Sequence, residues 1–399
     1  MPTLFRDLSL SAVIAGFIAT LISYAGPLVI IFHAAEQAHL SAIELSSWVW
    51  AISIGSAVLG TFLSLKYKVP VVVAWSIPGS ALLVTALPEI GLNQAVGAYL
   101  VANLLLWVIG YSAVFDKLLA HLPGSIAAGM QAGILFSFGI QTFRSAPEAP
   151  VMIGAMFVTY IGFRKLWPRY AVAAVLVVGA GIALVSGEFR REALMFAWAT
   201  PQWIVPEFSL SATLSLALPM LLVALTGQFM PGIAVLRGAG YTTPASPMIT
   251  ASALVGALLA PFGCHGLNLA AVTASLCTGR EAHENPRRRY VAALSGSLLY
   301  LLLGMAGATV VSVFAAFPHA LIAGLAGLAL YGAINDALVR SVSDAKDRDA
   351  GLFTFLVTAS GVSFLGLSAP FWGLLLGLTV HVVMLKRRPV SVGATSTEG

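Results

Sequence analysis

The chain has 399 residues, of which 59% are hydrophobic and only 9% are charged, with a mean hydropathy of +0.92 and a formal net charge of +5. Soluble domains carry about 25% charged residues, so the composition excludes a soluble globular protein and predicts an all-α integral membrane protein. The basic residues are spread through short loops, which argues against a nucleic-acid-binding surface.

Apolar runs long enough to cross a bilayer recur along the whole chain. The first run is too long for a signal peptide and no small-residue cleavage site follows it, so it predicts an uncleaved first span. We expect about fourteen spans, near residues 8–33, 45–64, 70–87, 93–113, 124–141, 149–163, 169–187, 209–229, 246–262, 265–278, 290–315, 319–338, 350–366 and 369–385.

The basic residues predict the orientation of these spans. With the N-terminus in the cytoplasm, only Arg144, Arg190 and Arg191 of the 21 Lys and Arg residues fall in outside loops. Cytoplasmic loops of membrane proteins carry an excess of Lys and Arg, so this asymmetry predicts a multi-pass protein with both termini in the cytoplasm.

Short matches predict an internal repeat with halves 1–207 and 208–399. Residues 9–12 and 209–212 both read Ser-Leu-Ser-Ala, while 83–86 (Leu-Val-Thr-Ala) resembles 271–274 (Ala-Val-Thr-Ala). Seven spans per half is an odd number, so the second half enters the membrane from the opposite side and the repeat is inverted. A polar connector with two tryptophans, residues 188–206, separates the halves.

Glycine and proline interrupt the apolar runs at matching places, residues 69–80 and 260–268, in the third and tenth predicted spans. Broken backbone survives at membrane depth only where it lines a cavity or is buried in protein, and paired breaks in repeated halves indicate the binding site of a secondary transporter. We expect two half-helices, capped by Ser80 and Asn268, whose N-termini meet near the midplane and attract an anion.

The residues around these breaks are the predicted substrate site. Gln228 is a neutral amide that can donate to a carboxylate, or alternatively join two helices. Trp75 and Phe229 either stack on an aromatic ring or simply fill space. The predicted substrate-binding residues are Gln228, Asn268, Ser76, Pro78, Gly79, Ser80, Gly266, Tyr24, Trp75 and Phe229.

His265 is the one titratable side chain predicted to lie close to this site, either as a proton carrier or as a hydrogen-bonded cavity histidine. We expect neither a metal nor a cofactor. Cys264 and Cys277 share one apolar segment, and His33, His319 and His381 fall near span ends, where we expect an interfacial position.

Four motifs resemble the benzoate–proton symporter (BenE-type) family. They are residues 74–79 (Ala-Trp-Ser-Ile-Pro-Gly), 228–241 (beginning Gln-Phe-Met-Pro-Gly), 268–274 (Asn-Leu-Ala-Ala-Val-Thr-Ala) and 371–374 (Phe-Trp-Gly-Leu). The resemblance implies uptake of benzoate with a proton across a bacterial inner membrane. It also implies the fold of uracil and sulfate/bicarbonate transporters, in which spans 1–4 and 8–11 form a core domain and the others a gate domain. Where uracil-type relatives carry glutamates, this chain has Gln228 and Asn268.

The sequence therefore predicts a secondary active transporter that takes up benzoate or a related aromatic carboxylate with a proton by alternating access. A transporter of another small anion or of a nucleobase remains the alternative, because paired amides also suit a nucleobase edge. A channel is a further alternative, and the chain has neither the HExxH nor the GxSxG motif of an enzyme. The oligomeric state is left open, with a homodimer as one candidate.

Overall fold

The computed structural model describes residues 7–25, 27–115, 117–118 and 123–385, and these are mostly helical. The helices are α1 (Leu10–Ala25), α2 (Pro27–Gln37), α3 (Ala42–Tyr67), α4 (Ile77–Tyr111), α5 (Gly124–Arg144), α6 (Pro150–Leu166), α7 (Ala171–Val185), α8 (Leu210–Gly238), α9 (Ala245–Leu259), α10 (Val272–Thr278), α11 (Tyr290–Met305), α12 (Gly307–Ala315), α13 (His319–Ser343), α14 (Arg348–Ala359) and α15 (Ala369–Leu385). The strands are β1 (Val73–Trp75) and β2 (Leu267–Leu269).

Within the described residues, 7 helical segments are long and apolar enough to cross a membrane, or 8 if a pair bent by 74° at Ala306 is one span. Two shorter apolar helices, 171–185 and 369–384, accompany them. The expected count of fourteen spans is therefore not established. One reason is that the third and fourth predicted spans join in α4, whose only interruption is a kink at Gly91, where φ is 74°.

The helices form two packed groups. In the first helix group (α1–α4 and α8–α12), α11 packs against α1 and α3, and α4 packs against α2 and α9. In the second helix group (α5–α7 and α13–α15), α5 packs against α13 and α14, and α14 packs against α15. The first helix group contains the helices that the resemblance assigns to a core domain, and the second contains those that it assigns to a gate domain.

Both interrupted segments are extended where the sequence predicts a break, and they pair with each other. β1 and β2 form a two-stranded antiparallel sheet with Val73 opposite Leu269, Ala74 opposite Asn268 and Trp75 opposite Leu267. A further hydrogen bond runs from the Ala270 amide to the Val72 carbonyl at 2.9 Å. Backbone polar groups among apolar helices need partners, and each strand supplies them to the other.

The helix start after β1 differs in detail from the prediction. Ser76 is the N-cap of α4, and its hydroxyl accepts from the Gly79 amide at 3.0 Å. Pro78 lies in the first turn, where its missing N–H costs no intrahelical bond. Ser80, predicted as the cap, lies inside the helix instead, so that prediction was wrong by four residues.

The second predicted cap was also wrong. Asn268 is the middle residue of β2, and α10 begins at Val272 after Ala271, which makes no side-chain cap. The starts of α4 and α10 are 195 residues apart, whereas the local match of 83–86 with 271–274 has an offset of 188. That match therefore does not align the two helix starts, because small apolar residues recur too often in membrane helices to fix a register.

The predicted connector, residues 188–206, runs along the first helix group as an extended segment. The backbone amides of Ala199 and Ile204 in the connector, and of Glu207 just after it, donate to the carbonyls of Met305, Pro261 and Asn93 at 2.8, 2.7 and 3.0 Å respectively. Both tryptophans of the connector are exposed. Residues 1–6 and 386–399 lie outside the described residues, so the cytoplasmic position of the termini stays a prediction.

Close backbone approach between α8 and β2 makes one glycine critical for packing. A Cβ atom on Gly232 would lie 2.7 Å from Leu269 Cβ and 2.9 Å from the Leu269 carbonyl oxygen. We expect Gly232→Ala to lower the stability of the purified protein by about 1–3 kcal/mol, the usual cost of overpacking. Thermal unfolding in detergent, with size-exclusion chromatography as the readout, measures this loss.

Gly162→Ala on α6 is the matched control, because its added Cβ would meet nothing within 4 Å. Alanine also has a higher helix propensity than glycine at that position. Equal unfolding temperatures for the two variants would contradict the tight contact between α8 and β2.

Candidate functional site

The two-stranded sheet places predicted site residues on two opposite faces. Side chains alternate along a strand, and residues directly opposite in an antiparallel pair share a face. Ala74 and Asn268 therefore point to one face, while Trp75 and Leu267 point to the other. Leu267 meets Gly55 of α3, so the face that carries Trp75 is the one packed on the first helix group.

An aromatic cluster covers that packed face. The ring of Trp75 lies 5.0 Å from that of Tyr24 and 6.3 Å from that of Tyr300, and the two tyrosine rings are 5.3 Å apart. The Tyr24 hydroxyl bonds to Ser53 on α3. Tyr24 and Trp75 are only 5% and 2% exposed, so a ligand ring can stack on either only after the cluster opens.

A polar network links the two interrupted segments. His265 stands two residues before β2, and its Nε2 is 2.9 Å from the hydroxyl of Ser80 in α4. The Ser80 hydroxyl also donates to the Ser76 carbonyl at 2.9 Å. On the other side of the imidazole, the Trp48 indole N–H of α3 donates to His265 Nδ1 at 3.1 Å.

The direction of these bonds fixes the chemistry of His265. An indole N–H can only donate, so Nδ1 accepts and the proton of the neutral ring is on Nε2. Nε2 then donates to Ser80, whose own proton goes to the Ser76 carbonyl. A second ring proton on Nδ1 would face the Trp48 N–H, and two donors cannot share one bond. The arrangement suits a neutral imidazole that joins β2 to the start of α4, and the predicted proton-carrying role of His265 stays a prediction.

Two amide side chains near the sheet have no partner among the described residues. Asn268 is 3% exposed, and Gln228 is half-buried in a π-helical stretch of α8, Leu225–Phe229, that contacts β2. Neither amide makes a hydrogen bond to another residue of the described chain, so Gln228 does not join two helices here. Single π-helical turns are frequent at functional sites, and an unpaired amide in apolar surroundings suits a polar ligand.

The same π-helical stretch lies at the boundary between the two helix groups. A Cβ on Gly227 would be 3.0 Å from Gln131 Oε1 of α5, and that oxygen accepts from Arg340 of α13 at 3.2 Å. The pair Gln131 and Arg340 therefore connects the second helix group to the stretch that carries Gln228. No pattern in the sequence relates residues 131, 228 and 340.

The remaining predicted residues lie in the wall of the site. A Cβ on Gly79 would come within 2.9 Å of the Ser76 side chain, and Gly266 has φ of 147°, where other residues are strained. A Cβ on Gly266 would lie 3.8 Å from the side-chain amide nitrogen of Asn268. Phe229 is fully buried, so it packs against protein here.

The structure thus divides the predicted residues into three sets: a capped polar network, an aromatic cluster on the packed face and two unpaired amides. Ser76, Ser80 and His265 form the first set, while Trp75 with Tyr24 form the second and Gln228 with Asn268 the third. Trp48, Tyr300 and Gln131 were missed, because each meets its partner only through tertiary contacts across large sequence separations.

Sequence comparison identifies relatives over almost the whole chain. A family model described as benzoate membrane transport protein (BenE) matches residues 6–383. The chain is 47% identical over 386 residues to a benzoate membrane transport protein of Acinetobacter baylyi, covering 97% of this chain and 98% of that relative. It is 39% identical over 371 residues to the inner membrane protein YdcO of Escherichia coli, with 93% and 95% covered.

Solved structures share the fold at low sequence identity. The structure of SLC26A9 matches with a TM-score of 0.63 and 14% identity, over 93% of this chain and 65% of that chain. The transmembrane domain of the cyanobacterial bicarbonate transporter BicA matches with a TM-score of 0.55 and 14% identity, over 95% and 97%. These matches show a transporter fold of the SLC26 and BicA type.

The hydrogen bond from Trp48 to His265 generates a test of the polar network. Trp48→Phe keeps an aromatic ring but removes the indole N–H, which leaves a buried acceptor at Nδ1 unpaired. We expect a loss of about 1–3 kcal/mol in stability, the usual penalty for such a group. Thermal unfolding of the purified variant in detergent measures it.

Trp50→Phe is the matched control, because Trp50 lies on the same helix and contacts Phe262 through its ring, at 5.6 Å between centroids. It has no hydrogen bond to its indole nitrogen among the described residues. Unfolding temperatures that fall equally in both variants would show that the bond to His265 contributes nothing.

Proposed function

The chain belongs to the family of benzoate membrane transport proteins, and from this we propose that it takes up benzoate or a related aromatic carboxylate with one proton across a bacterial inner membrane. Like its relatives, it is a membrane transporter and not an enzyme. The observation that carries the substrate proposal is the pair of unpartnered amides, Gln228 and Asn268, beside a sheet made from two interrupted spans.

We propose that the carboxylate binds on the face of the sheet that carries Ala74 and Asn268. Gln228 and Asn268 donate amide N–H groups to its oxygens, and the N-terminal end of α4 adds a partial positive charge that needs no lysine or arginine. A permanent cation at membrane depth is expensive, so neutral donors are a suitable way to bind an anion that must also leave. The aromatic cluster of Trp75, Tyr24 and Tyr300 closes the opposite face.

We propose that alternating access operates at the boundary beside the π-helical stretch. Gln228 belongs to the first helix group, and a Cβ on its neighbour Gly227 would lie 3.0 Å from Gln131 of the second. A relative movement of the two groups exposes the amides first to one side of the membrane and then to the other. The 7+7 inverted repeat of fourteen spans, the halves 1–207 and 208–399 and cytoplasmic termini complete the proposed architecture, while a homodimer stays one candidate assembly.

The proton balances the charge of the substrate. A carboxylate that enters alone works against a negative interior by about 2.3 kcal/mol per 100 mV. One accompanying proton removes that cost and couples uptake to the pH gradient, at about 1.4 kcal/mol per pH unit. Because Trp48 donates to His265 and favours its neutral form, we propose the substrate carboxylate rather than His265 as the proton carrier.

The amides generate a direct binding test. We expect Gln228→Leu and Asn268→Leu each to weaken benzoate binding roughly ten- to hundredfold, since a hydrogen bond to a charged group contributes about 1.5–3 kcal/mol. Titration of the purified protein with benzoate measures the change.

Gln202→Leu serves as control, because Gln202 is exposed on the connector and bonds to Ser47 through its backbone rather than through its side-chain amide. If all three variants bind benzoate like the unaltered protein, the amides are not the site. Competition by uracil that is as strong as competition by benzoate would favour the nucleobase alternative instead.

Proton coupling generates an electrical test in proteoliposomes. We expect an inward proton gradient to drive benzoate accumulation, and benzoate to evoke no current because one proton accompanies each carboxylate. Accumulation at equilibrium should rise by up to about tenfold per pH unit. A benzoate-evoked current that scales with uptake would contradict this stoichiometry.

The variant His265→Gln separates the two proton carriers. We expect slower uptake, since the link between β2 and α4 is altered, but an unchanged response of accumulation to the pH gradient. Accumulation that no longer follows the gradient would assign the proton to His265.

A further inference from the structure

Three potential metal ligands lie close together at one end of the boundary between the two helix groups, which we call the seam. His33 and Glu36 stand three residues apart in α2, in the first helix group, and His319 is the first residue of α13, in the second. Glu36 Oε2 lies 3.9 Å from His33 Nδ1 and 3.9 Å from His319 Nε2. The three donor atoms all lie within 4.8 Å of one another.

These contacts are too long for a closed hydrogen-bonded cluster. Hydrogen bonds between nitrogen and oxygen are about 2.7–3.2 Å long, so the carboxylate stands between two imidazoles without bonding tightly to either. The side chains are 22%, 61% and 47% exposed for His33, Glu36 and His319. The donors are therefore accessible and retain freedom to draw together around an ion.

Two imidazole nitrogens and one carboxylate oxygen are a donor set that Zn²⁺ prefers, with bonds of about 2.0–2.2 Å. In a tetrahedral site such bonds bring neighbouring donor atoms to about 3.3 Å from one another. The observed separations require a contraction of roughly 1 Å, which the exposed Glu36 and His319 side chains can supply by rotation. Three protein ligands leave the fourth position to water.

A small cavity lies beside the cluster, between the two helix groups. Its lining includes His33 and His319, together with Phe138 and Gln141 of α5. The His33 ring also lies 6.1 Å from that of Phe138, so the cluster is bounded by helices of both groups. Any ion held here touches one group through two ligands and the other through one.

We propose that His33, Glu36 and His319 form a Zn²⁺ site that fastens α2 to α13 and holds this end of the transporter closed. A bound ion shifts a conformational equilibrium by its difference in affinity between the two states. When the helix groups separate at this end, His319 leaves the other two ligands and the affinity falls. Zn²⁺ therefore arrests transport; this consequence rests on the proposed function, whereas the metal site itself does not. In the proposed orientation this end faces the periplasm.

Nothing in the sequence predicts this site, and we expect no metal from the sequence alone. The three ligands are separated by 283 residues between Glu36 and His319. Short motifs for zinc place their ligands on one helix or in one loop, and here only His33 and Glu36 share a helix.

Binding is tested on the purified full-length protein without a histidine tag, titrated with ZnCl₂ by calorimetry. We expect one Zn²⁺ per chain, and at least about tenfold weaker binding for His319→Gln and for Glu36→Gln, since even outer partners of a metal site contribute that much. Both side chains are exposed, so neither change should impair folding. Absence of stoichiometric binding, or equal binding by the variants, overturns the proposal.

His39→Asn is the matched control. His39 lies at the same end of the molecule, outside the cluster, and has φ of 52°, which asparagine tolerates. We expect it to bind Zn²⁺ like the unaltered protein. A loss equal to that of His319→Gln would move the site away from the proposed cluster.

Transport is tested in proteoliposomes with and without external Zn²⁺. We expect Zn²⁺ to inhibit benzoate uptake, a chelator to restore it, and His319→Gln to retain uptake without inhibition. Zn²⁺ that binds without slowing uptake, or that inhibits His319→Gln equally, overturns the closure. Absence of uptake in metal-free protein instead contradicts the proposed function, and the binding titration still decides the metal site.

Discussion

The need to satisfy backbone polar groups away from water governs this molecule. Extended segments at the depth of apolar helices have no water to bond with, and each unpaired group costs several kcal/mol. β1 and β2 meet part of that need through each other, in a register that places Ala74 opposite Asn268. The position of the candidate site, where the two interrupted segments meet, is a consequence of that pairing.

The site that results is polar but carries no fixed charge on its predicted ligands. Gln228 and Asn268 offer amides, while His265 is bonded by Trp48 and Ser80 into a form that suits the neutral ring. Neutral donors bind a carboxylate less tightly than a cation would, and a carrier must release its substrate on the other side. The potential metal ligands His33, Glu36 and His319 lie apart from this site, at the end of the seam between the helix groups.

The membrane class, the family and the two interruptions could all be predicted from the sequence, because hydropathy and Gly/Pro content are local properties. Helix caps could not be predicted as reliably: Ser76 caps α4 rather than Ser80, since the strand ends earlier than expected. The tertiary partners of His265 and of the π-helical stretch could not be predicted either. Trp48 reaches His265, and Gln131 reaches Gly227, only after folding, and a single sequence does not record contacts between residues so far apart.

The strand pair has a consequence for biogenesis. Val73 leaves the ribosome 196 residues before its partner Leu269, a delay of about 10–40 seconds at ordinary rates of synthesis. During that interval β1 has no strand to bond with, and its amides need shelter from lipid by the insertion machinery, by water or by neighbouring helices. Residues 1–207 lack the partner strand of β1, so this transporter cannot finish folding until the tenth predicted span, which carries β2, has been synthesised.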